Sequence, residues 1–232
     1  MSARRICTGS GEGNAEGRLV VALLVLTFVT GIVDAVSFLG LGHVFTANMT
    51  GNIVLLGFAL AGAASLSVAR SIVSLLAFVA GAVLGGRLGL VMNGGPRRRR
   101  ILTAGTVEAL LLFGSAAVSV GIARAADPSP SMLYAVIVLT AFAMGLRTAT
   151  VRWLAVPDMT TTVLTQVLAA LAAESVLAGG TNPRVGRRAV AVVLMVAGAA
   201  LGVLLMRHGL TLPLAVGGVC TLAAWIHAAR TD

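Results

Sequence analysis

Residues 19–41 read LVVALLVLTFVTGIVDAVSFLGL, twenty-three positions that hold a single charge, Asp34. A run this long and this apolar reads as a membrane-crossing helix. A cleaved signal peptide has a core of about 7–15 residues followed by a small-residue cleavage site. This run is longer and the site is missing, so it reads as an uncleaved first span. The polar, Gly-rich stretch before it, residues 1–18, reads as a disordered cytoplasmic tail.

The same pattern recurs down the chain. Further hydrophobic segments cover 45–63, 72–92, 101–123, 132–152, 159–178, 189–206 and 210–229. Pro96, Pro128, Pro130, Pro157 and Pro183 fall between segments, and Pro213 falls in the first turn of the last, where proline is tolerated. Of the 232 residues 58% are hydrophobic and 11% charged, against about 25% charged in a soluble domain. These figures exclude a soluble enzyme, a disordered chain and a nucleic-acid-binding module. The expected fold class is all-α: a polytopic integral membrane protein with one transmembrane domain, residues 19–229, in a bacterial cytoplasmic (inner) membrane. Its expected partner is the lipid bilayer.

Two segments differ from the rest. Segment 45–63 opens with Thr46, Asn48, Thr50, Gly51 and Asn52, and segment 159–178 with Thr160, Thr161, Thr162, Thr165 and Gln166. The uninterrupted apolar part of 45–63 is about 12 residues, roughly 18 Å of helix, short of the roughly 30 Å hydrocarbon core. Both read as broken or re-entrant helices, leaving six full spans. Arginine placement agrees. Setting aside Arg87 and Arg147, which lie within segments, eight crossings divide the other 15 arginines 9 against 6. Six crossings leave only Arg70, Arg124 and Arg207 outside, a split of 12 against 3 that obeys the positive-inside rule.

The two unusual segments hold matching places in an internal repeat. Met49-Thr50 aligns with Met159-Thr160, and VAGAVLG (79–85) with VAGAALG (196–202). Halves of about 19–123 and 132–229 would each carry three crossings and so be inverted, as in many transporters and channels. Gly81, Gly85 and Gly89, like Gly198 and Gly202, sit four apart, a spacing that lets helices pack closely in lipid.

The string Gly31-x-x-Asp34-Ala35, Phe38-x-x-Leu41-Gly42, Phe45-Thr46-Ala47-Asn48-Met49-Thr50-Gly51-Asn52 and Gly57 resembles the YoaK family, bacterial membrane proteins catalogued as a domain of unknown function (DUF1275). Val156-Pro157-Asp158-Met159-Thr160-Thr161-Thr162-Val163-Leu164-Thr165 resembles that family's second signature. The resemblance runs from about 19 to 229. It implies a multi-pass bacterial membrane protein and brings no established activity. It also implies a neutral amide where this chain has Arg147, so Arg152 is the better-shared cation.

An intramembrane carboxylate such as Asp34 is costly and is by default a functional candidate. It could bind a cation, relay a proton, or be satisfied structurally by helix-end N–H groups or an Arg. The Asn and Thr openings suit helix N-termini, either as caps alone or as polar lining for a ligand. The expected pathway residues are Asp34, Asn48, Thr50, Asn52, Arg147, Arg152, Asp158, Thr161, Thr162 and Thr165, placed where the two broken segments meet near the midplane. Glu108 and Glu174 also lie in otherwise apolar helices. Arg97 to Arg100 read chiefly as a topology signal. His43, His208 and His227 have no ligand spacing, and no catalytic or nucleotide-binding motif is present. The expected function is transport or conduction of a small polar solute or ion, with a non-catalytic scaffold or sensor subunit as the alternative. No cofactor and no metal are expected.

Overall fold

The computed structural model describes residues 9–125, 129–154, 164–181 and 184–230, without side chains for residues 9–15. Its helices are α1 (Gly9–Gly40), α2 (Met49–Leu60), α3 (Val68–Val91), α4 (Arg97–Arg124), α5 (Pro130–Leu154), α6 (Leu164–Ala173), α7 (Val185–Met206) and α8 (Thr211–Ala229). Six of them, all but α2 and α6, are long and apolar enough to cross a membrane. In hydrocarbon a helix satisfies every backbone group within the segment, so uninterrupted apolar runs have one stable outcome. The protein is an all-helical polytopic membrane protein, as its composition requires. One boundary is corrected: α1 begins at Gly9, inside the stretch read as a disordered tail. Extending a helix that is already anchored avoids the cost of nucleation, so poor helix formers can join it.

Helix ends follow local chemistry. Asn48 caps α2, its side-chain oxygen accepting from the Gly51 N–H, and Ser67 caps α3 through the Arg70 N–H. Pro96 occupies the cap position of α4, and Pro130 opens α5. Between α1 and α2 the chain turns through Gly42 at φ +88° and His43 at φ +59°.

Two close crossings hold the bundle together. On α3 and α5, a Cβ on Gly81 would lie 2.0 Å from the Phe142 carbonyl oxygen, and one on Gly145 2.0 Å from that of Phe78. On α1 and α7, a Cβ on Gly198 would lie 2.0 Å from the Phe28 carbonyl oxygen, and one on Gly31 2.3 Å from that of Met195. Gly85 lies against Leu146 and Ala149, and Gly202 against Ile32 and Ala35. A Cβ on Gly89 would lie 3.6 Å from Trp153 on α5, so all five glycines named from their spacing are helix contacts. In both crossings the residue numbers rise together, so α1 runs parallel to α7, and α3 to α5.

These directions place the termini and loops. Arg18 donates to the Arg230 carbonyl, and Arg98, Arg99 and Arg230 line one groove. The Arg100 guanidinium stacks on Trp153, 3.8 Å from the ring centroid. At the opposite end Gly40 meets Leu210 and Met206, and Arg70 donates to the Gly42 carbonyl at 3.5 Å. Hence α2 leaves and returns at one end, while α6 sits between the ends of α5 and α7 at the other.

Cysteines introduced at residues 98 and 230 of a cysteine-free variant should react with an impermeant thiol reagent only after the cells are lysed. Cysteines at 43 and 208 should react in intact cells. Labelling of 98 and 230 from opposite sides would rule out the six-crossing arrangement.

Candidate functional site

Buried polar residues on α1 fall at helical spacing: Thr27, Thr30, Asp34 and Ser37. The interior of a bundle in lipid accepts such a stripe only where each group finds a partner. Threonine and serine find one within their own helix. Thr27 donates to the Leu23 carbonyl at 2.9 Å and Thr30 to that of Leu26 at 2.9 Å. Ser119, Thr140 and Thr150 each donate to the carbonyl four residues earlier in the same way. The charged residues cannot be satisfied so locally, and they organise two distinct sites.

The first site is a sealed ion pair. Arg147 and Glu108 are both 0% exposed. Arg147 Nε donates to Glu108 Oε1 at 2.5 Å, and Nη2 contacts the same oxygen. Nη1 donates to the Leu26 carbonyl and to Thr30 Oγ1, both at 3.0 Å, while Nη2 also reaches Thr221 Oγ1 at 3.0 Å. All five guanidinium N–H groups are thereby accounted for. Trp225 Nε1 donates to the other carboxylate oxygen, Oε2, at 2.9 Å. The network joins α1, α4, α5 and α8 at the level of Leu26 and Thr30, the middle of the first span.

The second site is the inner tip of the segment between α1 and α2. Asp34 Oδ1 accepts from the Ala47 N–H at 3.0 Å, and the Thr46 and Asn48 amides also bear on the carboxylate. Asn52 is wholly buried and pairs with the main chain of Phe45 in both directions, accepting from its N–H at 2.8 Å and donating to its carbonyl at 2.5 Å. Ser74 on α3 donates to the same carbonyl at 2.7 Å and accepts from Asn52 Nδ2 at 3.1 Å. Phe45 stacks on Phe38 with centroids 4.8 Å apart. Asp34 lies six residues before the end of α1, roughly 9 Å at 1.5 Å per residue. The segment therefore dips about that far into the bundle before α2 leads out again. α2 presents Ile53, Val54, Phe58 and Leu60 outward. One feature sets this tip apart from the sealed pair: buried Thr46 Oγ1 has no hydrogen-bond partner.

Several expectations need correction. Of the two structural partners open to Asp34, the backbone N–H groups are the ones it has; the Arg147 side chain is taken by Glu108, although its charge still attracts the Asp34 carboxylate. Glu108 sits on α4, the helix against which α5 packs, so helix adjacency selected the partner. Arg152 is exposed in the last turn of α5, at the arginine-rich end and away from Asp34. Asn48, Thr50 and Thr165 are exposed as well, and Asn48 acts as a cap. The described part of the second broken segment, α6, packs on α7 and does not touch α2. The described parts of the two broken segments, α2 and α6, therefore do not meet, and the opening of the second, residues 159–163, lies outside the described residues. Asp158, Thr161 and Thr162 lie outside the described residues.

Comparison with known proteins bears on the tip directly. The model of a family described as "Protein of unknown function (DUF1275)" matches residues 22–227, which include Asp34 and the whole 44–52 segment. The chain belongs to the DUF1275 family. It is 36% identical over 152 residues to the UPF0700 transmembrane protein YoaK of Bacillus subtilis (strain 168). That stretch is 66% of this chain and 64% of YoaK, so the chain spans just under two thirds of this relative. No solved structure matches. The family resemblance drawn from the Gly31–Gly57 motif is thereby established, and the motif's Asp34, Phe45 and Asn52 are the residues that build the re-entrant tip.

Proposed function

We propose that this DUF1275 member is a bacterial inner-membrane transporter or channel-like protein for a small polar solute or ion. It is built from two inverted halves, and Asp34 is its working charge. The observation that carries this reading is the Asp34 carboxylate itself: buried on a membrane helix and held by a backbone N–H group at the tip of a re-entrant segment, with no cationic side chain hydrogen-bonded to it among the described residues. A carboxylate in this setting can stay ionised inside the bundle at reduced electrostatic cost, because the N–H groups and the positive end of α2 stabilise its charge, and in that form it can take up a cation or a proton. The unpartnered Thr46 hydroxyl beside it suits a polar passenger.

The two helix crossings support inverted halves. Gly31, Phe28 and Ile32 on α1 stand to Gly198 and Gly202 on α7 as Gly145, Phe142 and Leu146 on α5 stand to Gly81 and Gly85 on α3. With α2 at one end and α6 at the other, the halves have opposite sense, the usual basis of alternating access. The distribution of arginine favours a cytoplasmic location for the end bearing Arg18, Arg97 to Arg100 and Arg230. No catalytic step is proposed. A scaffold or sensor subunit is the second reading, favoured by the Arg147–Glu108 network, which is dry and complete.

Reconstituted protein should move at least one member of a panel of protons, alkali cations and labelled small polar solutes into liposomes under an imposed gradient. Asp34→Asn should abolish that flux while keeping the wild-type melting temperature within a few degrees. A cysteine at Thr46, in a variant lacking Cys7 and Cys220, should react with a small polar thiol reagent in the folded protein. Wild-type flux in Asp34→Asn, or a Thr46→Cys thiol that reacts only after unfolding, would leave the scaffold as the better reading.

A further inference from the structure

We infer that the arginine-rich end carries a binding site for the phosphate of an anionic lipid, held by Arg99 and Arg100 where α3 ends and α4 begins. Two grooves meet there, of ≈ 810 and ≈ 380 Å³, with Pro96, Arg99 and Thr103 lining both. Arg98 and Arg230 border the first groove, and Arg100 the second. No carboxylate lines either of them among the described residues. The concentrated positive charge of the grooves therefore has no counterpart from their own walls.

Arg100 provides the independent sign of a missing partner. Its guanidinium lies flat on Trp153, yet its Nε and Nη1 are shut off from solvent and have no hydrogen-bond acceptor. Buried guanidinium donors are costly to leave unmatched, and an anionic phosphate oxygen is a strong acceptor for such a donor. The start of α4 adds to the attraction. This helix is 28 residues long, and the proline in its cap position leaves the first-turn N–H groups without a side-chain acceptor.

The surroundings point to a lipid rather than a soluble anion. Val91, Met92 and Leu102 border the grooves. From Arg100 and Met92 a narrow slot continues past Gly85, Gly89 and Trp153, along the last two turns of α3. Leu90 and Val91 project outward at 75% and 83% exposure. A headgroup on Arg99 and Arg100 would thus leave an acyl chain against an apolar helix face, with Trp153 at the depth where aromatic residues settle.

The test uses the delipidated full-length chain in a neutral detergent, with binding read by native mass spectrometry and melting temperature. Dioleoyl phosphatidylglycerol should remain bound and raise the melting temperature, while dioleoyl phosphatidylcholine and inorganic phosphate should do neither. Arg99→Gln/Arg100→Gln should weaken phosphatidylglycerol binding roughly tenfold or more. Arg97→Gln, in the same run but lining neither groove, should leave it unchanged. If the double variant does not fold, Arg99→Gln alone alters an exposed side chain and should still weaken binding severalfold. Equal binding of phosphatidylcholine, an equal shift with inorganic phosphate, or wild-type retention in the Arg99 variants would overturn the assignment.

Discussion

Glu108→Gln should destabilise the folded protein by about 3–5 kcal/mol, the usual consequence of leaving one member of a buried ion pair without its counter-charge. Arg147 is 0% exposed, so its guanidinium has neither solvent nor a second counter-charge to turn to once the carboxylate is gone. The amide can still accept one hydrogen bond and leave the shape unchanged, which isolates charge from packing. Arg147→Met should cost a similar amount, since it strands Glu108 with only the Trp225 N–H and takes from Thr221 the donor that its hydroxyl accepts from. The double variant Glu108→Gln/Arg147→Met should lose much less than the two effects added together, because removing both charges removes the desolvation penalty as well as the attraction. Reversible unfolding in mixed micelles would measure all three. Additive losses would mean that the two side chains are not an energetic unit.

Gly81→Ala and Gly198→Ala should each cost about 3 kcal/mol, at the upper end of ordinary overpacking. In each case the new methyl carbon would sit 2.0 Å from a backbone carbonyl oxygen of the crossing helix. Backbone in a packed helix cannot swing aside as a side chain can, so the helices must separate and lose contacts along the whole crossing. Gly85 and Gly202 form a milder rank, since added carbons there would meet their nearest neighbours at 2.9 and 3.0 Å. Gly86→Ala, one residue along α3, is the control. Nothing lies within 4 Å of that position, and alanine should be neutral or stabilise by up to about 1 kcal/mol through helix propensity. A melting series that ranks Gly86→Ala with Gly81→Ala would contradict the crossing geometry.

These two sites differ in how far they could be anticipated. The glycine crossings were legible because four-residue spacing places small residues on one face whatever the partner is. Their spacing did not rank them, since Gly81 and Gly85 look equivalent until the opposing backbone is known. Asp34 was also legible, as the single charge in a 23-residue apolar run, whereas its companions Thr27, Thr30 and Ser37 stood out only once the helix face they share was known to be buried. Arg147 was legible as an intramembrane charge, but its partner was not. Glu108 is 39 residues away, and nothing local distinguishes it from Glu174, which pairs with Arg188 at the start of α7 and is half exposed there. Trp225 as the second donor to Glu108 carried no signal in the chain. The Asn48–Asn52 stretch was recognised as polar and broken. That Asn52 holds the main chain of Phe45 while Thr50 faces outward depends on the exact path of the loop.

From the sequence alone follow the helical class, the six long spans and two short segments, the arginine-rich end, and the faces along which helices pack. Hydrocarbon is the reason. It demands that each span be apolar and satisfy its own backbone, so the requirement is met residue by residue within one segment and can be read there. Only the tertiary structure decided which charges meet and which polar residues are sealed between helices. Those outcomes depend on which helices become neighbours and at what height. A buried charge in lipid takes whichever partner the neighbouring helix brings to its level, and for Arg147 that partner was Glu108 on α4.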